Sequence, residues 1–213
     1  MKATEPITIL CYGDSNTWGK DPAANQRYPF ADRWPNILAQ NLGDNYHVIA
    51  EGELGRTIIF DDEDPSVPCR NGYTLLAPLL DSHRPNYLVV MLGTNDTRFF
   101  NNASPTEIAE HYVHYLRACQ EYHCRMIIVA PQPASDGFID PATGLSANKC
   151  FNEDSFHKMQ KLPDAMHKFA AEHNVDFIDP TDFAAVGPDY LHWTKDTHRQ
   201  FADKLTAYFK NLA

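Results

Sequence analysis

The sequence predicts an α/β fold in which a central parallel sheet of about five strands lies between two layers of helices. Two observations predict it. Apolar runs rich in β-branched residues recur at long intervals, and such runs, without polar residues at alternate positions, are typical of strands buried on both faces of a parallel sheet. Segments with apolar residues at helical spacing separate these runs, and alternating strands and helices form parallel sheets with right-handed crossovers. We therefore expect a three-layer α/β/α sandwich.

Each element follows from its own pattern. The strand pattern occurs five times, most weakly in the last run, at residues 7–11, 46–50, 87–92, 125–130 and 175–179. Apolar residues at helical spacing predict helices over residues 34–42, 75–80, 105–122, 156–173 and 194–212. At the start of the third helix, Ser104 can cap the backbone and Pro105 is tolerated at the first position. No linker or internal repeat interrupts the series, so we expect residues 1–213 to form one domain.

Residues 131–152 are a long stretch without a strand or helix pattern, and they contain three prolines and two glycines. Loops of this length inside a compact domain are usually functional or mobile. Because the stretch follows a predicted strand, we expect it to lie over the carboxyl edge of the sheet, where open α/β folds bind their ligands.

Charge and composition restrict the classes of function. The formal net charge is -10 at pH 7, which argues against a nucleic-acid partner and against binding to anionic membranes. The apolar run that ends at Cys11 is too short for the core of a signal peptide, and no later run is long enough to span a bilayer. The five cysteines show no CxxC spacing, which favours reduced thiols in a cytoplasmic protein.

Residues that can carry chemistry follow three of the predicted strands. Ser15 comes just after the first strand, where free backbone N–H groups at the start of a helix favour developing negative charge. Taken alone, Ser15 is better explained as part of an ordinary turn with a helix cap. Gly52 and Gly55 follow the second strand and Asn95 follows the third. If these strands are neighbours, their backbone N–H groups and an amide can meet Ser15 at one edge of the sheet.

A candidate base lies near the C-terminus, where Asp189 precedes His192 by three residues, just ahead of the last predicted helix. Serine is a weak nucleophile until a base takes its proton, and the imidazole of that base needs a third group to orient it. One turn of chain with this spacing can supply both groups. In a chain with ten histidines an isolated pair of this kind arises more often by chance, so the pair gains meaning from the other motifs.

Together these motifs resemble those of the SGNH hydrolase superfamily, also called the GDSL esterases, over essentially the whole chain. Four blocks occur in the family's order at the ends of predicted strands: Gly13-Asp14-Ser15, Gly52 with Gly55, Gly93-Thr94-Asn95-Asp96, and Asp189-x-x-His192. Residues 11–19, 33–34, 55–57, 61–62 and 91–97 are similar to the bacterial arylesterase/acyltransferase branch. The resemblance implies the flavodoxin-like α/β/α fold of that superfamily.

The resemblance also implies a role for each motif residue. Ser15 would be the nucleophile, and His192 would be the general base and later the acid for the leaving alcohol. Asp189 would orient the imidazole and stabilise its charged form. The oxyanion hole would consist of the backbone N–H groups of Ser15 and Gly55 and the side-chain amide of Asn95. Preorganised donors of this kind are worth about 3 kcal/mol each in the transition state.

Other residues near the nucleophile have supporting roles or no assigned role. In this superfamily Asp14 holds the nucleophile turn through hydrogen bonds. Asn16 stands where the name-giving motif has leucine, at a position that varies. Residues 138–157 match no motif of the family, and we expect them to shape the acyl or alcohol pocket or a subunit contact. Trp18 is the first choice for an aromatic wall of the substrate pocket.

No metal or organic cofactor is expected. His111 and His114 lie on the long predicted helix without a third ligand, so a solvated helix face explains them better than a metal site. Residues 61–64 are acidic but lack the glycine and closing glutamate of an EF-hand loop, which indicates an exposed acidic loop.

The sequence thus predicts a serine esterase that removes, and can transfer, short acyl groups such as acetyl from aryl, alkyl or carbohydrate esters. A lysophospholipase or thioesterase of the same fold is the main alternative, followed by a catalytically weak carbohydrate-binding module and a metal-dependent hydrolase. The partners expected are a small-molecule ester and, because the related branch forms oligomers, further copies of the chain.

Overall fold

The computed structural model describes residues 5–61 and 69–212. Its strands are β1 (Ile7–Gly13), β2 (Tyr46–Gly52), β3 (Tyr87–Met91), β4 (Arg125–Val129), β5 (Ile139–Asp140), β6 (Leu145–Ser146) and β7 (Asp176–Ile178). Five of them form one sheet in the order β2-β1-β3-β4-β7, and every pairing in it is parallel. The predicted parallel sheet of five strands is therefore confirmed, and no strand begins or ends more than two residues from its predicted position.

Helices cover both faces of this sheet. They are α1 (Ser15–Trp18), α2 (Trp34–Leu42), α3 (Gly72–His83), α4 (Pro105–Glu110), α5 (Tyr112–Glu121), α6 (Glu153–His173) and α7 (Lys195–Leu212). The side chains of β1 alternate between two cores. Leu10 packs in the core shared with α3 to α6, whereas Ile9 packs in the core shared with α2 and α7. This alternation confirms the predicted three-layer α/β/α sandwich.

The helix predicted over residues 105–122 is wrong in one respect, because it is divided at His111 into α4 and α5. The backbone of His111 has a ψ of -22°, and its carbonyl accepts a hydrogen bond from the N–H of His114 at 3.2 Å. This bond spans three residues instead of four, so one turn of the helix is tightened locally. At the start of α4, Ser104 caps the helix as predicted and Glu107 completes the capping box.

The expectation that residues 131–152 contain no regular structure is also wrong. β5 and β6 pair antiparallel, with Ile139 opposite Ser146, and form a short hairpin. A small separate core supports residues 131–152, here called the hairpin segment. Phe138 lies against Phe151 with ring centroids 5.5 Å apart, and Leu191 belongs to the same cluster. This contact connects the segment to the turn that carries the candidate base.

The fold brings the ends of β1, β2 and β3 to one edge of the sheet. β1 lies between β2 and β3, and Gly13 is in register with both Gly52 and Met91. Residues that follow these three strands are therefore spatial neighbours. In open parallel sheets this carboxyl edge is where ligands bind.

Candidate active site

Ser15, His192 and Asp189 form a continuous chain of hydrogen bonds. His192 Nε2 lies 2.9 Å from Ser15 Oγ, and His192 Nδ1 lies 2.6 Å from Asp189 Oδ2. The other carboxylate oxygen, Asp189 Oδ1, accepts the backbone N–H groups of Leu191 at 3.1 Å and of His192 at 3.0 Å. The structure thus brings together the three residues that the sequence singled out as nucleophile, base and orienting carboxylate.

The carboxylate of Asp189 is partly buried, which by itself raises its pKa. The hydrogen bond and charge of His192, together with the two backbone N–H groups, outweigh this effect and hold the pKa of Asp189 below its ordinary value. Asp189 is therefore ionised at neutral pH. An ionised carboxylate against Nδ1 fixes the imidazole with Nε2 facing the serine.

A tight turn between β1 and α1 positions Ser15. The side chain of Asp14 accepts the backbone N–H of Asn16 at 3.0 Å, which caps α1. Gly13 has no room for a side chain, because a Cβ there would lie 2.1 Å from Oγ1 of Thr17. Burial raises the pKa of Asp14 to about 6, and the Asn16 N–H opposes that rise. The structure places Asp14 in the turn-holding position expected for it.

Backbone donors beside the nucleophile are available. Within the described residues, neither the N–H of Ser15 nor that of Gly55 donates to a protein acceptor. Asn95 connects the two segments that carry them, because its Nδ2 donates to the Arg56 carbonyl at 3.1 Å and approaches Asp14 Oδ2 at 3.4 Å. Hydrogen bonds therefore hold together the three segments that carry the predicted donors of an oxyanion hole.

Arg56 is a site residue for which no role was predicted. It is 4% exposed, donates to the Gly13 carbonyl at 3.0 Å and pairs with Glu53 at 3.3 Å. Its guanidinium lies over the ring of Tyr12, 4.2 Å from the centroid. Arg56 thus ties the end of β1 to the loop after β2. The sequence signals for this role were its place next to Gly55 and the similarity of residues 55–57 to the arylesterase/acyltransferase branch.

Asp96 is a second buried carboxylate at this edge. Its two oxygens accept the N–H of Ile58 at 2.9 and 3.1 Å, which joins the loop after β2 to the loop after β3. The side chain is fully buried, and burial raises its pKa to about 7 against the opposing effect of the Ile58 N–H. Asp96 therefore holds the loop that carries Asn95 against the loop after β2.

No role was predicted for Asn16, yet it is buried in the site. Its Oδ1 accepts the backbone N–H of Trp193 at 2.9 Å. This bond joins the residue after the nucleophile to the residue after the base. A contact between positions 177 residues apart leaves no local signal in a sequence.

A cavity of about 500 Å³ lies beside the base. Asp189, Tyr190, Leu191 and His192 form one side of it. The hairpin segment and the loop after α1 supply most of the remainder: Phe138, Asp140, Ser146, Ala147, Asn148, Lys20 and Asn25. Trp18 is not among the lining residues, and the Arg27 guanidinium lies 4.8 Å from the centroid of its ring. A pocket role for Trp18 stays a prediction.

The residues set aside as metal ligands have other neighbours. The ring of His111 lies 5.3 Å from that of Phe60, and the ring of His114 lies 5.2 Å from that of Tyr73. Across residues 5–61 and 69–212, no group of three or more His, Cys, Asp and Glu side chains is arranged to hold a metal ion. Most of the predicted acidic loop, residues 62–64, lies outside the described residues.

Comparison with known proteins gives a family and a set of structural relatives. Residues 11–200 match the model of the GDSL-like lipase/acylhydrolase family. Among curated proteins, the uncharacterized lipoprotein YqeF of Bacillus subtilis (strain 168) is 26% identical over 133 residues, which are 61% of this chain. The chain spans half the length of that relative.

Three solved structures resemble the chain over almost its whole length. Est24, a carbohydrate acetylesterase from Sinorhizobium meliloti, is 29% identical with a TM-score of 0.86, covering 97% of this chain and 100% of the other. The aryl esterase of M. smegmatis is 28% identical with a TM-score of 0.84 and the same coverage. A putative arylesterase from Agrobacterium tumefaciens str. C58 is 27% identical, again with a TM-score of 0.84 and that coverage. In the part of the chain that the structure describes, no helix is long and apolar enough to cross a membrane.

Proposed function

This chain belongs to the GDSL-like lipase/acylhydrolase family and is a carboxylic ester hydrolase, and we propose that it cleaves esters of short acyl groups by two-step acyl transfer through Ser15. The observation that carries the proposal is the chain of hydrogen bonds from Asp189 through His192 to Ser15 Oγ. A serine so paired with an oriented imidazole is an activated nucleophile.

In the first step, Ser15 Oγ attacks the carbonyl carbon of the ester while His192 Nε2 takes the hydroxyl proton. The ionised carboxylate of Asp189 stabilises the imidazolium that forms. When the tetrahedral intermediate collapses, the bond to the alcohol oxygen breaks and His192 returns the proton to that oxygen. The acyl group remains on Ser15 as an ester.

Negative charge develops on the carbonyl oxygen in both steps. The N–H groups of Ser15 and Gly55, which donate to no acceptor within the described residues, are two of the donors that would receive it. The third is the Asn95 N–H that approaches Asp14 Oδ2 at 3.4 Å and would turn from it to the oxyanion. Because the surrounding bonds hold these groups before substrate arrives, little reorganisation is needed when the charge forms. Asp96 and Arg56 keep the donor-bearing loops in place.

In the second step, a water molecule attacks the carbonyl carbon of the acyl-enzyme while His192 takes a proton from it. The bond to Ser15 Oγ then breaks, His192 returns the proton to that oxygen, and the carboxylic acid leaves. A second alcohol at the same place would instead give a new ester, which is the acyl-transfer reaction. None of the named steps uses a metal or an organic cofactor.

The proposed substrates are acetyl and similar short-chain esters of aryl, alkyl or carbohydrate alcohols. The names of the structural relatives, a carbohydrate acetylesterase and an aryl esterase, support this range. We also propose a cytoplasmic location and assembly into a homo-oligomer. Light scattering of the purified protein would test the assembly, and fractionation of cells would test the location.

Hydrolysis of p-nitrophenyl esters from acetate to palmitate, by wild type and by Ser15→Ala, tests the proposal. We expect turnover of acetate or butyrate, falling with chain length, and a loss of at least about a thousandfold in the variant. A preference for palmitate would favour the lysophospholipase or thioesterase alternative. If the folded wild-type protein is inert on the whole series, or if Ser15→Ala is fully active, the proposed mechanism is wrong.

A further inference from the structure

Tyr190, between the candidate carboxylate and base, has a backbone φ of 63°. This left-handed conformation favours glycine and is uncommon for a bulky residue. Two hydrogen bonds of 2.9 Å hold it there, from its N–H to the Gly187 carbonyl and from the Ser135 N–H to its own carbonyl. Strain of this kind costs about 1 kcal/mol or more and persists where the surrounding structure enforces it, often at functional sites.

The strained backbone places an aromatic ring at the cavity beside His192. The Tyr190 side chain lines that cavity, and the residue is 43% exposed. Gly137 of the hairpin segment lies against its ring, since a Cβ at that position would fall 2.9 Å from two ring carbons. An accessible aromatic ring therefore stands two positions before the proposed base in the sequence, and Gly137 of the hairpin segment packs against it.

The chemistry of the first step indicates which part of the ester lies there. The leaving oxygen must come within hydrogen-bonding distance of His192 Nε2, because that nitrogen delivers its proton. The alcohol part of the ester therefore extends past His192. His192 itself lines the cavity, so an alcohol that extends past His192 can enter it.

Polar side chains line the same cavity as the Tyr190 ring. Oδ1 of Asn148 accepts from Ser146 Oγ at 2.8 Å and from the Cys150 N–H at 3.1 Å, which fixes the amide and leaves its NH₂ group without an acceptor among the described residues. The Asp140 carboxylate accepts the Ala142 N–H at 2.9 Å and has capacity for further donors. The cavity thus offers a hydrogen-bond donor, the Asn148 amide, and an acceptor, the Asp140 carboxylate, in addition to the aromatic ring.

We propose that this cavity binds a carbohydrate as the alcohol part of the ester, with Tyr190 as the specificity residue on which the sugar ring stacks. The C–H groups on one face of a sugar ring are attracted to the electron-rich face of an aromatic ring. The sugar hydroxyls need both donors and acceptors, which Asn148 and Asp140 provide. A simple aryl alcohol would stack on Tyr190 and use neither polar group. This inference rests on the proposed esterase function.

Three acetate esters test the inference: methyl 6-O-acetyl-glucopyranoside, cyclohexylmethyl acetate, which has a six-membered ring without hydroxyls, and ethyl acetate. Release of acetate gives kcat and KM for wild type, Tyr190→Gly, Tyr190→Phe and Asn148→Ala. We expect wild type to prefer the sugar ester to the cyclohexylmethyl ester. Tyr190→Gly should lower the kcat/KM ratio of sugar ester to ethyl acetate at least tenfold, mainly through KM, and Tyr190→Phe should keep that ratio within threefold.

Asn148→Ala should lower the ratio of sugar ester to cyclohexylmethyl ester at least fivefold, because the two esters differ in their hydroxyls. The inference is overturned if wild type hydrolyses ethyl acetate without preferring the sugar ester. It is also overturned if Tyr190→Gly lowers kcat for all three esters alike, which would mark a structural role in the turn. A folded wild-type protein inert on all three esters would overturn the proposed function as well, so the two failures are distinguishable.

Discussion

Asn16 Oδ1 accepts a hydrogen bond of 2.9 Å from the backbone N–H of Trp193. Asn16 directly follows the proposed nucleophile, and Trp193 directly follows the proposed base. Both residues are buried, and Trp193 is fully inaccessible to solvent. One bond therefore sets the position of the serine turn against that of the histidine turn, which come from opposite ends of the chain.

We expect Asn16→Ala to weaken catalysis by misplacing the serine relative to the imidazole. The change leaves the buried Trp193 N–H without its acceptor, at a cost of about 1–3 kcal/mol in the free energy of unfolding. Because small displacements of reacting groups can cost up to about a hundredfold in rate, kcat/KM for p-nitrophenyl acetate should fall tenfold to a hundredfold. Asn41→Ala is the matched control, since Asn41 bonds to Asp203 on α7, away from the site. Equal kcat/KM values for the two variants would refute the positioning role.

The sequence predicted the sheet and the residues of the candidate triad because both depend on local patterns. Apolar runs identified all five strands of the main sheet. The resemblance of four motif blocks to those of the SGNH superfamily singled out Ser15, Asp189 and His192. The hairpin of β5 and β6 could not be predicted, because two-residue strands are too short to show alternation. The role of Asn16 and the left-handed backbone of Tyr190 depend on contacts distant in sequence, which carry no local pattern.

Asp189→Asn should preserve the shape of the turn but remove the charge that stabilises the imidazolium. Asn can still accept the backbone N–H groups of Leu191 and His192, so the melting temperature should change little. The loss in kcat/KM for p-nitrophenyl acetate should be on the order of a hundredfold to ten-thousandfold. Asp179→Asn is a suitable control, because Asp179 accepts a backbone N–H of a similar turn elsewhere. Activity within threefold of wild type would show that the carboxylate charge is dispensable.

Asp96 should make the protein less stable as pH rises towards neutrality. Its pKa in the folded protein is raised from 3.8 to about 7 by burial, so between pH 4 and 7 the folded state binds more protons than the unfolded state. The free energy of unfolding therefore falls with rising pH in this window and levels off above it. Asp14, raised to about 6, acts in the same direction over the lower part of the window.

Urea unfolding at several pH values between 4 and 8 tests this dependence. In Asp96→Asn the decline across the window should be shallower, by up to about 1.4 kcal/mol per pH unit, because the variant has no proton to lose there. The exposed Asp203→Asn should follow wild type. An unchanged pH slope in Asp96→Asn would contradict the raised pKa of the buried carboxylate.

Gly55→Ala tests the backbone N–H of residue 55 as an oxyanion donor, and Gly43→Ala serves as its control. Both have a positive φ, 78° and 70°, so alanine at either position strains the backbone. At Gly43, where ψ is -165°, the conformation is essentially restricted to glycine and the strain is about 1–3 kcal/mol. A Cβ at Gly55 would lie 2.3 Å from Nη1 of Arg70, whereas a Cβ at Gly43 would meet nothing within 4 Å. Both substitutions thus strain the backbone, but only the one at Gly55 places the new Cβ against other side chains.

We expect Gly43→Ala to lower the melting temperature and to leave kcat for p-nitrophenyl acetate unchanged. In Gly55→Ala the positive φ is unfavourable for alanine and the new Cβ displaces the guanidinium of Arg70. The resulting adjustment of the loop should move the residue-55 N–H away from the developing oxyanion. Since one such donor is worth about a hundredfold to a thousandfold in kcat when it is lost entirely, a partial displacement should cost tenfold to a hundredfold in kcat, with a smaller change in KM. A loss in KM alone would place Gly55 in ground-state binding, and the oxyanion assignment for its N–H would then be wrong.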